Sequence, residues 1–229
     1  ECEKSKELSE LNMYDKIITL TDNDKRILEN NGVNIPISVS PAAINTTPLP
    51  YKEWLGKIVF VGGYNHIPNR EGIDWFMSQV ATHLPNNTKF DIVGTSWPTH
   101  YAEHQPIQIC LRGFVEKLED AAYGQIMIVP ILTGSGMRMK ILEAAAMSMP
   151  IITTTVGVEG LDFTDNESCI IADEPESFAQ AIIKLSNDVA LRKHIGCGAR
   201  NVFDQKYAVQ ILAKRREQIY KQLLLCEKD

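Results

Sequence analysis

The segment Ile126-Met-Ile-Val-Pro-Ile-Leu-Thr-Gly-Ser-Gly-Met-Arg-Met-Lys-Ile-Leu-Glu-Ala-Ala-Ala-Met147 changes its period halfway along. Its apolar, largely β-branched opening reads as a strand buried on both faces. A Gly-Ser-Gly turn closes that strand, and a helix from Met137 to Met147 follows. The same unit stands earlier in the chain. Ile58-Val-Phe-Val-Gly-Gly63 leads into a helix from Pro68 to about Leu84, with Pro in its first turn and Ile73, Phe76, Met77, Val80 and Leu84 at helical spacing. Further strands are expected at Lys89–Gly94, Ile107–Arg112, Ile151–Thr155 and Cys169–Asp173, and helices at Lys117–Tyr123 and Glu176–Asn187. Strands buried on both faces and alternating with helices need crossover connections. The expected fold class is therefore α/β, a doubly wound, mostly parallel sheet.

The two ends read differently. A helix at Glu3–Leu11 leads to one strand, Lys16–Thr21, and a helix from about Asp24 to Asn30, followed by Gly32-Val-Asn-Ile-Pro-Ile-Ser-Val-Ser-Pro41 and then a loose stretch through Pro50. One βα unit cannot bury its own apolar faces, so residues 1–50 are expected to be the tail of another domain plus a linker. Residues 51–205 form the expected Rossmann-like domain. A long C-terminal helix, within 206–229 and packing back on the fold, is expected to turn Ile211, Leu212, Ile219, Leu223 and Leu224 inward. Its other face carries Lys214, Arg215, Arg216 and Lys221. The chain opens Glu1-Cys2-Glu3 without an initiating methionine, which leads to the expectation of a cut-out from a longer protein.

Composition excludes several classes. The 229 residues carry a net charge of −6 with 44% hydrophobic residues, enough for a buried core and too apolar for a disordered chain. The acidic balance disfavours nucleic acid as a partner. No apolar run reaches the roughly 18–20 residues that span a bilayer. Five scattered cysteines with no C-x-x-C pair fit reduced cytosolic thiols better than a disulfide framework or zinc ribbon.

The glycine turn carries the chemistry. Glycines let backbone approach a ligand closely, and the free N–H groups of a helix N-terminus attract anions. Arg138 and Lys140 sit where the helix dipole disfavours cations, a conflict that a docked diphosphate would remove. Glu143 stands further along the helix, where a carboxylate would accept hydrogen bonds from two ribose hydroxyls. The plain alternative is an ordinary βα turn with solvent-facing charges.

Thr133-Gly-Ser-Gly-Met-Arg-Met-Lys-Ile-Leu-Glu-Ala144, followed by Met149-Pro-Ile-Ile-Thr-Thr-Thr-Val-Gly-Val-Glu-Gly-Leu161, closely resembles the group 1 (family 4) glycosyltransferases. Phe60-Val-Gly-Gly-Tyr-Asn-His-Ile-Pro-Asn-Arg70, Ile92-Val-Gly94 and Arg112-Gly-Phe-Val115 fit the same family in the same order. The resemblance runs from Lys57 to Arg200, and residues 12–45 resemble the last strand and linker of that family's first domain.

The resemblance implies the C-terminal, donor-binding half of a GT-B fold. It implies a nucleotide-sugar donor, transfer of a hexose-type sugar to a glycan or lipid-linked acceptor with retention, and no metal or other cofactor. Carried over by position, Gly134, Ser135 and Gly136 with Arg138 and Lys140 would hold the donor diphosphate, Glu143 the ribose, and Gly113, Phe114 and Val115 the base. Catalytic groups on the acceptor side would belong to the other domain, so none is assigned here. Residues 1–229 alone would transfer little or nothing. The cysteine usage leads to the expectation of a cytoplasmic protein. Peripheral contact with the inner membrane face would run through the basic helix face, at about 1 kcal/mol per cation near an anionic surface. Two rivals are a non-catalytic nucleotide-binding module and a nucleotide-sugar 2-epimerase.

The sequence departs from the family pattern twice. Many relatives carry two glutamates eight positions apart; here Ser135 occupies the first position and Glu143 the second. Many also carry an Arg and a Lys-Gly pair after the first strand, where this chain reads Arg70-Glu-Gly72. Arg138 and Lys140, helped by Arg70, would supply the missing positive charge. Two metal-like patterns are set aside. His100-Tyr-Ala-Glu-His104 lies between Pro98 and Pro106, too short a helix for a zinc site, and Asp22-Asn-Asp24 is expected to cap a helix. Trp75 is expected to pack in the core.

Overall fold

The computed structural model describes residues 2–44, 46–103 and 106–226. His104 of the metal-like pattern lies outside them. The chain divides into two compact units, residues 46–204 and residues 1–45 with 205–229.

The larger unit is built on a six-stranded, all-parallel sheet. Its strands are β3 (Lys57–Val61), β4 (Lys89–Val93), β5 (Gln108–Gly113), β6 (Ile126–Val129), β7 (Ile151–Thr153) and β8 (Ile170–Ile171), in the order β5-β4-β3-β6-β7-β8. The order reverses between β3 and β6, and a doubly wound sheet opens a ligand crevice at such a point. Both central strands are buried on both faces, which is why their sequences read as continuous apolar runs. Asp91 of β4 is the buried exception. Its carboxylate takes Lys57 Nζ at 3.0 Å and the Arg112 guanidinium at 2.8 Å, one cation from each neighbouring strand.

Helix α3 (Ile67–Trp75) continues through a π turn at Phe76–Val80 and a 3₁₀ turn at Ala81–His83, so the single expected helix is one path of three windings. All five of its expected apolar contacts are buried, and Trp75 packs edge-on against Phe178 with 5.5 Å between ring centroids. Helices α4 (Leu118–Ala122), α5 (Met139–Ala146) and α7 (Pro175–Asn187) stand where the periodicity places them.

The structure adds two helices, α6 (Thr155–Val158) and α8 (Val189–Val202). The Gly196-Cys-Gly198 run hides α8 from a sequence reading, because glycine normally weakens a helix interior. The glycines instead permit close backbone contact. A Cβ at Gly196 would meet the Ser148 carbonyl oxygen at 2.4 Å, and one at Gly198 would meet that of Glu167 at 2.0 Å.

The smaller unit holds α1 (Cys2–Leu11), β1 (Ile17–Thr19), α2 (Asp22–Asn30), β2 (Ile37–Val39) and α9 (Val209–Cys226). β2 falls within the Gly32–Pro41 segment, to which the sequence assigns no strand; it pairs in parallel with β1, so this unit has two strands, not one. Thr21, not Asp22 or Asp24, is the N-cap of α2: its hydroxyl oxygen accepts from the Asp24 N–H at 3.0 Å and donates to the Asp24 carboxylate at 2.7 Å. The α9 expectation needs a larger correction. Ile211 and Leu224 are exposed, while Leu212 and Ile219 are buried. Positions 212, 216, 219 and 223 form one stripe at 3.6 residues per turn, and 211 and 224 lie about 100° off it. Arg216 therefore leaves the outer basic face and donates to Ser40 Oγ at 3.1 Å and the Pro41 carbonyl at 3.3 Å. No helix among the described residues is long and apolar enough to cross a membrane.

Candidate functional site

Two glycine turns face each other across the switch point. The first, Gly62-Gly63, follows β3; the second, Gly134-Ser-Gly136, follows β6. Between them opens a cleft of about 330 Å³, lined by Val61, His66 and Asn69 on one side and Ser135, Arg138, Lys140 and Glu143 on the other. Gly134 and Gly136 have φ of +94° and +89°, which side chains other than hydrogen rarely adopt.

Arg138 is the pin of the second turn. It is only 9% exposed. Its Nη1 donates to the carbonyls of Ser135 at 2.7 Å and Gly136 at 2.9 Å, and its Nη2 to those of Gly134 at 2.9 Å and Thr133 at 3.3 Å. In a trans peptide the C=O and the following N–H point opposite ways. Gathering these four carbonyls onto one guanidinium thus aims the amides of residues 134–137 away from it, which leaves them open to an acceptor. Burial lowers the pKa of Arg138, partly offset by the Glu159 carboxylate of the Gly157-Val-Glu-Gly160 run. The turn is tied to α3 by Thr133, whose hydroxyl donates to the Glu71 carboxylate. Glu71 thus fastens the second turn to α3.

Lys140 and Glu143 occupy the first two turns of α5, whose N-terminus has no side-chain cap. Lys140 Nζ donates to Asn69 Oδ1 at 2.7 Å and lies 4.1 Å above the centroid of the Phe60 ring. Burial brings the Lys140 pKa down to about 7, with Arg138 adding to the fall and Glu143 opposing it. Glu143 is raised by burial and pulled back by Lys140.

Of the residues singled out from the sequence, Ser135, Arg138, Lys140 and Glu143 share the cleft, while Gly134 and Gly136 flank Ser135 outside its lining. Arg70 lies outside its lining, with its guanidinium over the Tyr64 ring, 5.5 Å from the centroid. Gly113, Phe114 and Val115 leave the end of β5, two strands from β3, and the Phe114 side chain is 75% exposed. Between the two regions stand Tyr64, Trp97 and Tyr101 in edge-to-face contact, with Trp97 Nε1 donating to the Gly62 carbonyl at 2.8 Å. Asn69 and His66 were not singled out from the sequence. Their signal was present: a polar residue in the first helical turn after a glycine turn faces whatever that turn binds. Among the described residues, no three His, Cys, Asp or Glu side chains gather as a metal site.

A family model described as "Glycosyl transferases group 1" matches residues 56–188. A Klebsiella pneumoniae protein described as "Uncharacterized 44.6 kDa protein in cps region" is 32% identical over 163 residues, covering 66% of this chain and 42% of that protein. The chain thus spans less than half the length of this curated relative. Among solved structures, S. aureus TarM superposes with a TM-score of 0.80 at 16% identity, over 96% of this chain and 46% of that one. Sucrose-phosphate synthase from Thermosynechococcus elongatus gives 0.80 at 17% identity, over 97% and 62%. Anabaena HepE, solved with UDP and glucose, gives 0.71 at 12% identity, over 96% and 66%. At these identities the likeness is one of fold.

Proposed function

Because the chain belongs to the group 1 glycosyltransferases and carries the Rossmann-like sheet of their GT-B fold, we propose that residues 46–204 bind the nucleotide-diphosphate sugar of a glycosyl transfer reaction. The observation that carries this reading is the cleft lined by Ser135, Arg138, Lys140 and Glu143, beside a glycine turn whose carbonyls are gathered on Arg138. The amides of residues 134–137 and Lys140 would receive the diphosphate, with Arg138 holding the turn in shape beneath them. Glu143 would accept from the ribose hydroxyls. The exposed Phe114 ring, with the backbone of Gly113 and Val115, would meet the base, and Arg70 would act at the edge of the cleft. Charge develops on the diphosphate as the sugar departs, so donors fixed there would stabilise the transition state more than the ground state. The sugar would be of hexose type and pass with retention to a glycan or lipid-linked acceptor, without a metal. The capsule-region name of the Klebsiella relative and the UDP in the HepE structure support a role in surface polysaccharide assembly with a nucleotide donor. Acceptor-side groups would come from outside residues 1–229.

Calorimetric titration of the 229-residue chain with UDP, GDP and ADP tests the reading. One of the three should saturate at one site. Glu143→Ala should weaken it at least tenfold, since two hydrogen bonds to a charged group are lost. No saturable binding, or binding indifferent to Glu143, would overturn the assignment.

A further inference from the structure

The first glycine turn has no cation of its own in the cleft, yet it is joined to the Lys140 ammonium through Asn69. Asn69 is buried in the first turn of α3. Its Nδ2 donates to the Gly63 carbonyl at 3.0 Å, while its Oδ1 accepts from Lys140 Nζ at 2.7 Å. The fit is close: a Cβ on Gly62 would lie 2.5 Å from Asn69 Nδ2. The amide thereby bridges the turn after β3 and helix α5, which follows β6 across the switch point. We propose that Asn69 is a positioning residue, which holds Lys140 protonated in the cleft and joins the two glycine turns into one diphosphate site. This rests on the diphosphate reading above.

The reason lies in what surrounds the ammonium. Phe60 below it offers only a ring face, and Arg138 beside it repels it. Glu143 is the acid that favours the charged form, and it is set against burial, which brings Lys140 to about 7. Asn69 Oδ1 is a neutral acceptor directly on Nζ. An acceptor there favours the protonated state without cancelling its charge, so the ammonium stays available to an anion. An acidic residue at this position would hold the proton more strongly but would itself repel a diphosphate. His66 lines the cleft together with Arg138, Lys140 and Glu143, and Arg70 follows Asn69 on α3 with its guanidinium over Tyr64.

The test is UDP titration across pH 6 to 9 on the 229-residue chain. Below neutral pH, Lys140 is charged in the free protein and binding should be strongest. Above about pH 7 the free protein must take up a proton to bind, so affinity should fall by up to tenfold per pH unit. Asn69→Ala removes the acceptor and should move the midpoint of this fall to lower pH. Its affinity at pH 8 should be roughly tenfold below the parent's, and within about twofold of it at pH 6. Asn69→Asp, nearly the same shape, should move the midpoint upward, and it carries the test alone if Asn69→Ala does not fold. Lys140→Met should flatten the profile. A loss in Asn69→Ala that is equal at every pH would mark a purely structural residue and overturn the proposal. So would unshifted midpoints in both Asn69 variants when Lys140→Met still flattens the profile; the diphosphate reading would then stand. If Lys140→Met leaves affinity and profile unchanged, the diphosphate reading fails, and the proposal with it.

Discussion

Arg138→Ala should weaken UDP binding about a hundredfold, or roughly 2.7 kcal/mol, while leaving the six-stranded sheet folded. The guanidinium gathers the carbonyls of Thr133, Gly134, Ser135 and Gly136, so its removal releases all four peptide planes of the turn at once. The amides that the turn presents would then have to be ordered by the ligand itself, at about 1–2 kcal/mol of backbone entropy per residue. Arg138→Lys should recover little of the loss, because an ammonium lacks the planar fork that reaches four acceptors. Calorimetry with UDP, alongside a melting curve, checks both halves of the expectation. Unchanged affinity in Arg138→Ala would mean that the turn keeps its shape without the guanidinium.

Gly72→Ala should strongly destabilise the larger unit. A Cβ there would lie 2.1 Å from the Pro130 carbonyl oxygen and 3.0 Å from its carbon, both backbone atoms on the chain leaving β6. Neither can move aside as a side chain would, so α3 must shift away from the sheet. A cost of about 3 kcal/mol is expected, which for a domain of this size lowers Tm by roughly 6–12 °C. Gly113→Ala is the matched control. Its φ is +65° and nothing lies within 4 Å of the added Cβ, so only the left-handed backbone cost of about 1–2 kcal/mol applies. Equal melting temperatures for the two variants would show that contact with Pro130 is not what holds α3. Gly72→Ala should also weaken UDP binding, because the displaced helix carries Asn69.

The alternation of buried strands and amphipathic helices from Lys57 to Asn187 was legible without coordinates, because a strand covered on both faces leaves an unbroken apolar run and a half-covered helix leaves a 3.6-residue stripe. The Gly134-Ser-Gly136 turn and the Arg138, Lys140 and Glu143 that follow it were legible for a similar reason: glycine and charge stand where neither helps a helix form. Elements that depend on contact with distant backbone were not legible. Helix α8 passes through Gly196 and Gly198, whose purpose is visible only where Ser148 and Glu167 come within reach. Strand β2 is three residues long and exists by pairing with β1.

The side-chain roles divide along the same line. The sequence could list the cations near the turn, but position along a chain does not say which way a guanidinium folds. Tertiary packing turned Arg138 beneath its own loop, laid Arg70 over Tyr64, drew Arg216 toward Ser40, and brought Asn69 to Lys140 from 71 residues away. Periodicity is local and survives in the sequence, whereas the partner of a buried polar group is set by whichever acceptor the fold delivers to it.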